Sequence, residues 1–368
     1  MKSNKKLLFF ASDYKIGLSA LLTEQALALQ QLTLPFICVC GEGEQETGLK
    51  IKLRKAGIDC HVIQGLDEHR NALQLVHNLE NIIEEENIGI VHVQNNWQLA
   101  LMALAKIRSL FSKKIPVVYT LHGFRHNSAV KSIVAKMMIG TALSLFADKV
   151  ICMCRYLADT FSFLKRKIEI IPLGIPEIFF ETSNLPDIQQ CGLQIIFPAQ
   201  FRHGKNQDMI IRAFADYVKK SGDSLSQLCL PGSGEKWEEM KTLSDTLGIR
   251  ARVSFPGQCT KEEVFSLYQK SNVAVVASNK ETFGQSIVEP YCMGRIVVSR
   301  AVGIAPDIIR NGETGFIFDN GKDLTDIFLQ LKNMENFDEI SHNAREAATF
   351  FEWEKIAQEL KYLYQSLN

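Results

Sequence analysis

The sequence predicts an α/β protein built from two doubly wound parallel-sheet domains. Short apolar runs alternate with helical patterns along all 368 residues. Most of those runs are nearly continuous in Val, Ile, Leu or Cys, as parallel strands covered on both faces should be. The alternation is interrupted once, half-way, by the polar stretch ETSNLPDIQQC at 181–191. This gives a first domain over 1–180, a linker over 181–191, a second domain over 192–352 and a C-terminal helix over 353–368 free to reach back to the first.

In the first domain, strands are expected at Leu7–Ala11, Phe36–Cys40, His61–Ile63, Ile90–Gln94, Val117–Leu121 and Val150–Cys154, and the segment Ile168–Pro176 closes the domain. Helical patterns lie between them at Gly17–Gln31, Thr47–Lys55, Arg70–Glu86, Trp97–Ile107, Val130–Phe146 and Arg155–Leu164. In the second, strands at Leu193–Ala199, Gln227–Leu230, Arg252–Phe255, Val273–Ala277, Ile296–Ser299 and Gly315–Phe318 alternate with helices at Asn206–Lys220, Lys236–Leu247 and Lys261–Tyr268. A further helix starts near Thr282, and the chain ends in three more. Such alternation makes doubly wound sheets.

Composition narrows the function classes. The 41 basic and 41 acidic residues balance, which argues against bulk nucleic-acid binding. No run of 18 apolar residues is present, and the start MKSNKKLLFFASDYK reads as a buried first strand rather than a leader. Nine cysteines in a chain of this length do not make a disulfide scaffold. Cys38 with Cys40, and Cys152 with Cys154, share a strand face each and read as reduced core thiols, so a cytosolic protein is expected.

Ligands of such sheets meet the carboxyl ends of the strands, and the candidate residues fall there. Glu281 sits in the turn after Val273–Ala277, and Glu289 about two helical turns further on. Carboxylates accept hydrogen bonds from hydroxyls, and the Phe283-Gly284 backbone at a helix start suits a phosphate. Thr282 and Gln285 also fit a capping box, the structural reading of the same stretch. Arg202 and Lys205 lie between a strand and a helix, as surface cations or as partners of a diphosphate. Gly232, Gly234 and Gly303 allow close backbone approach, and Gly17 opens the first helix as a turn residue or a ligand contact. A lone Gly17 is not a dinucleotide fingerprint. His122, at a strand tip before Gly123, reads either as a semi-buried structural group or as a ligand contact. Its spacing to His126 is broken by Gly123 and does not make a metal site.

Charge is uneven. Between Leu101 and Ile170 stand twelve basic residues, Lys113 and Arg125 among them, against three acidic ones. The run FSFLKRK at 161–167 joins aromatics to cations, as a solvated face or as a contact with an anionic membrane.

The motifs FRHGKN at 201–206, PGSGE at 231–235, ETFGQSIVE at 281–289 and VGIAPDIIRNGETGFIF at 302–318, with LHGF at 121–124 and IIPLGI at 170–175, resemble the retaining glycosyltransferases of family 4. The resemblance covers essentially the whole chain. It implies a GT-B fold, two Rossmann-like domains facing a central cleft. It implies transfer of a hexose-type unit from a nucleoside diphosphate sugar, a UDP-sugar foremost, to a hydroxyl of a glycan or lipid-linked acceptor, without metal or cofactor. By similarity His122, Arg202, Lys205 and Glu281 form the catalytic set, and Gly17, Gly232, Gly234, Phe283, Gly284, Gln285, Glu289 and Gly303 bind the donor. Glu289 would hold the ribose, and the base would lie near Gly232–Lys236 and Cys259. A role in lipopolysaccharide or other surface polysaccharide synthesis at the inner membrane face follows from the same resemblance. Departures stand at Gln200, Leu173, Cys154 and Pro290, the last expected to bend its helix. An epimerase or phosphorylase of the same fold, a periplasmic-type binding protein and a dinucleotide oxidoreductase are the alternatives.

Overall fold

The computed structural model describes residues 5–10, 16–32, 34–41, 49–66, 69–108, 114–123, 129–181 and 184–367. It separates into two compact units, 1–174 with 353–368, and 175–352. Residues 11–15, the start of the helix expected at Thr47, and Lys113, Phe124, Arg125 and His126 lie outside the described residues.

Unit one carries β1 Lys6–Phe10, α1 Ile16–Gln31, β2 Phe36–Cys40, α2 Leu49–Lys55, β3 Cys60–Val62, α3 Ala72–Glu85, β4 Ile88–Val93, α4 Asn96–Arg108, β5 Val117–Leu121, α5 Ala129–Phe146, β6 Lys149–Cys152, α6 Arg155–Thr160 and β7 Ile168–Ile170. Its sheet has the order β3-β2-β1-β4-β5-β6-β7, with every pairing parallel. Strands β1, β4 and β5 are buried almost throughout, which is why their sequences do not alternate.

Unit two follows with α7 Ile188–Cys191, β8 Gln194–Ile196, α8 Gln207–Ser221, β9 Gln227–Cys229, α9 Trp237–Thr246, β10 Val253–Ser254, α10 Lys261–Gln269, β11 Val273–Val276, α11 Gln285–Cys292, β12 Ile296–Ser299, α12 Ala305–Ile308, β13 Phe316–Ile317, α13 Gly321–Lys332 and α14 Phe337–Ala348. The order is β10-β9-β8-β11-β12-β13, again with parallel pairings. In each sheet the order reverses beside its first strand, at β1/β4 and at β8/β11. That switch point opens a crevice at the carboxyl ends, where ligands of this architecture sit.

The last helix, α15 Trp353–Gln365, belongs to unit one. Ile356, Ala357, Leu360, Leu363 and Tyr364 recur at helical spacing and join the core made by Leu22, Ala26 and Leu29 of α1 and by β1. Trp353 packs on the bare backbone of Gly174, where a Cβ would stand 2.2 Å from the indole. The glycine of the IIPLG segment is therefore required for this packing.

Several local expectations are corrected. Residues 175–180 group with unit two rather than with the first domain. The stretch expected as linker contains α7, whose first turn is capped by the Asp187 carboxylate accepting from Gln189 N at 2.8 Å. Most second-unit strands are shorter than their apolar runs, because the last residues of each run lie in the loop above the sheet. Helix α11 begins at Gln285, not Thr282, with Gly284 in the N-cap position at φ 101° and no side-chain cap, so the capping box is not formed. The helix runs through Pro290 and ends two residues later. Phe161 is fully buried, so only Phe163 of the FSFLKRK pair faces outward.

Candidate active site

The polar residues of unit two converge on the β8/β11 switch point. The loop Ala199–Asn206 leaves β8 and carries Arg202 and Lys205, both half-buried. It is held against the end of β11 by its own chemistry. Asn206, at φ 56°, donates through Nδ2 to Ala277 O at 2.8 Å and Asn279 Oδ1 at 2.6 Å. Asn279 N donates to Gly204 O at 2.8 Å, and Arg300 Nη1 donates to Asn279 Oδ1 at 2.5 Å. These bonds place Lys205 Nζ 2.5 Å from Glu281 Oε1, with only 13% and 16% of the two side chains exposed. The sequence singled out Lys205 and Glu281 on separate grounds; the structure makes them an ion pair.

The glycines explain how the loops nest. Gly232 and Gly234 have φ of 141° and 148°, and a Cβ would lie 2.0 Å from Ala199 O or 2.4 Å from Phe201 O. The β9 loop is thereby pressed onto the β8 loop, sealed by Phe201 N donating to Ser233 O at 2.9 Å and Lys236 N to Phe201 O at 3.0 Å. Gly303 does the same for the turn 281–284. Its Cβ would meet Phe283 O at 2.3 Å, and Ile304 N donates to that oxygen at 2.9 Å. Phe283 itself is buried against Phe351. The turn 281–284 is thus fixed from behind, and α11 begins immediately after it with Gln285 exposed. Between the β8 and β9 loops lies a cavity of about 180 Å³, lined by Pro198, Gln200, Gly232, Ser233, Cys259 and Val264.

Glu289 is the exceptional carboxylate. It is 9% exposed, and its side chain makes no hydrogen bond or ion pair among the described residues. Burial raises its pKa to about 7, opposed only by the charge of Lys261. Tyr268 faces the same field, pushed up by burial and by Glu289, and its hydroxyl is buried without a hydrogen-bond partner. Buried polar groups are normally satisfied. A buried carboxylate of this kind has its acceptor capacity unused among the described residues.

In unit one, Gly17 is the second residue of α1, after the β1 loop. His122 is half-buried at the tip of β5 and belongs to a chain of polar side chains. Its Nε2 lies 2.7 Å from Gln94 Oε1, and Gln94 Nε2 lies 3.4 Å from Nε2 of the fully buried His92. His92 also reaches Thr120 Oγ1 and Tyr364 Oη, each at 2.7 Å. Burial lowers the pKa of His92 to about 3 and that of His122 to about 4, so both rings are neutral at pH 7. The roles then follow. Gln94 donates to His92, and His122 Nε2–H donates to the Gln94 carbonyl, which leaves His122 Nδ1 as an acceptor. The sequence carried a signal for this network: His92 on β4 with Gln94 just past its end, and Thr120 on β5 with His122 just past its end, are polar residues two apart at the tips of neighbouring buried strands. Among the described residues, no group of three or more His, Cys, Asp or Glu could hold a metal ion. All nine cysteines are free thiols.

Two parallel-sheet Rossmann-like units of this kind define the GT-B class of fold. Solved structures agree. That of Anabaena Alr3699/HepE in complex with UDP superposes with a TM-score of 0.78 at 20% identity, over 98% of this chain and 100% of that one. The apo lipopolysaccharide outer core galactosyltransferase WaaB gives 0.74 at 14% identity, over 98% and 99%. The model of glycosyltransferase family 4 matches residues 17–177, and that of glycosyl transferases group 1 matches 186–349. The chain belongs to the family 4 glycosyltransferases. Among its relatives, the alpha-monoglucosyldiacylglycerol synthase of Streptococcus pneumoniae is 25% identical over 68% of this chain and 60% of its own length. The N-acetyl-alpha-D-glucosaminyl L-malate synthase of Bacillus anthracis is 25% identical over 79% and 78%.

Proposed function

We propose that the protein transfers a sugar from a nucleoside diphosphate sugar to an acceptor hydroxyl with retention of configuration. The observation that carries this reading is a buried Glu289 on α11 that makes no hydrogen bond or ion pair among the described residues, on the helix that follows the turn holding the Lys205–Glu281 pair. The carboxylate of Glu289 accepts from the ribose hydroxyls. The ammonium of Lys205, with Arg202, takes the diphosphate, and the released Glu281 accepts from hydroxyls of the transferred sugar. The backbone at Phe283-Gly284 and the start of α11 add donors for phosphate and sugar. Gln285 lies at the same helix start, and Gly303 holds the turn. The cavity beside Gly232, with Gly234 behind it, takes the base. The neutral His122 accepts from a sugar hydroxyl through Nδ1, and Gly17 approaches the diphosphate.

The step breaks the bond from the sugar's anomeric carbon to the phosphate oxygen and forms one to the acceptor oxygen. The acceptor proton passes to the departing phosphate on the same face of the sugar. Fixed cations aimed at the growing negative charge supply most of the rate enhancement in such a site. A UDP-sugar is the donor proposed, in keeping with neighbours solved with UDP and UDP-glucose. The acceptor proposed is a glycan or a lipid-linked hydroxyl, the latter in keeping with the diacylglycerol-named relative. Proton NMR of a UDP-hexose incubated with the protein and a series of lipid, glycan and hydroxy-acid acceptors is the test. Acceptor-dependent release of UDP with an α-linked product from an α-linked donor is expected. A β-linked product would overturn retention, and interconversion of the donor without acceptor would make the protein an epimerase.

A further inference from the structure

We infer that the outer face of α5, with the turn beside it, is a docking surface for an anionic lipid bilayer. Helix α5, AVKSIVAKMMIGTALSLF, has no acidic residue, only two lysines, and apolar side chains all round its axis. A helix of that kind is normally covered all round. Here Leu143 and Gly140 turn inward, while Val134, Met137, Met138 and Leu145 are 51–69% exposed. Their spacing is helical, with Thr141 between them, so they form one continuous stripe on the outer side. This is a contiguous patch, unlike the isolated apolar side chains that any surface carries.

The neighbouring turn extends the patch and gives it charge. Phe163, 62% exposed, lies over Gly140, where a Cβ would stand 2.3 Å from its ring. Lys167 anchors the turn to the end of α5 by donating to Ser144 O and Ala147 O, each at 2.6 Å. Lys136, on the inner side of α5 with Gly140 and Leu143, lies 6.0 Å from the ring centroid of the buried Phe161. Lys165 and Arg166 project from this turn, exposed and without an ion pair among the described residues. Of the acidic side chains nearby, Asp148 is engaged with Lys106 at 3.1 Å and Glu169 with Lys149, which leaves the exposed Asp159 of α6 against Lys165 and Arg166. The patch therefore joins an apolar stripe to an excess of positive charge. That pairing fits acyl chains beneath anionic headgroups. An identical second copy would bring the same cations face to face. No helix among the described residues is long and apolar enough to cross a membrane, so the contact is one of surface insertion.

Flotation of the full chain with vesicles tests this, independently of the donor reading. Vesicles of phosphatidylcholine alone are compared with vesicles containing about one-third phosphatidylglycerol. Binding to the anionic vesicles only, weakened by salt, is expected. The variant M137D/M138D should lose about tenfold or more of that binding, and K165A/R166A should lose most of the dependence on phosphatidylglycerol and on salt. Both variants should keep wild-type affinity for UDP-sugar and wild-type melting temperature, since these side chains face away from the core. Absence of wild-type binding to anionic vesicles, or equal binding by M137D/M138D, would overturn the proposal. So would a wild-type dimer that M137D/M138D converts to monomer without any vesicle binding.

Discussion

Replacing Lys205 with alanine is expected to lower turnover at saturating donor by about 10²–10³-fold, the cost of removing one preorganised charge from a transition state. The geometry gives the reason. Lys205 and Glu281 are held 2.5 Å apart and largely shielded from water, by a loop stapled to β11 through Asn206 and Asn279. In the ligand-free protein each neutralises the other. A diphosphate would displace the carboxylate from the ammonium, and Glu281 would then be free to accept from sugar hydroxyls. Without Lys205, a shielded Glu281 faces an incoming dianion with no counter-charge. The variant Lys205→Arg keeps the charge but not the compact ammonium, so it should fold normally and lose less. Steady-state rates with melting temperatures separate chemistry from folding. Full turnover by Lys205→Ala at saturating donor would remove Lys205 from the phosphate-binding role.

The second large effect concerns Glu289, and it has opposite signs for stability and for binding. Its carboxyl titrates near pH 7 in the ligand-free fold, against an ordinary value of 4.5, because burial penalises the charge. An acid whose folded pKa is raised favours folding below its unfolded pKa and loses that advantage as pH rises through the folded one. Ligand-free stability should thus decline between about pH 4.5 and 7 on account of this group. Glu289→Gln removes the penalty and should be more stable at pH 8, by up to about 3 kcal/mol. In the proposed role at the ribose, the same substitution would replace a charged acceptor of hydroxyls by a neutral one. Donor affinity should therefore fall about 10- to 100-fold, the worth of one or two charge-assisted hydrogen bonds. Thermal melts across pH with and without UDP-sugar read both signs. A variant less stable than wild type at pH 8, with unchanged donor affinity, would make Glu289 a structural residue.

Much of this was legible in the residues because the fold enforces it on them. Parallel strands buried on both faces must be apolar throughout, so Phe9, Val91 and Val118 announce their strands. Loops nested backbone on backbone admit only glycine, so Gly232, Gly234 and Gly303 stand out. Glu281 and Lys205 were visible as candidates but not as a pair, since they are 76 residues apart and meet only through the β8/β11 crossover. The start of α11 was misread because Thr282 and Gln285 carry a capping pattern, whereas the close approach of Gly303 to Phe283 holds that turn non-helical until Gly284. Tyr364 as a partner of His92 was not legible, because a contact across 272 residues depends on where α15 docks. The outer stripe of α5 was hidden too. An apolar helix reads as core, and only the packed structure shows which side is left uncovered.

The measurement that bears most directly on the central claim is a calorimetric titration of UDP-glucose and its UMP, GDP and ADP counterparts into wild type and Glu289→Ala, in buffers of differing ionisation enthalpy at pH 6.5–7. The expected result is binding of the UDP-sugar that is lost in the variant and is accompanied by release of up to one proton, as hydroxyl donors bring the Glu289 carboxyl down from about 7. Binding of no nucleotide sugar by the wild type, or equal binding by both proteins without proton release, would contradict it.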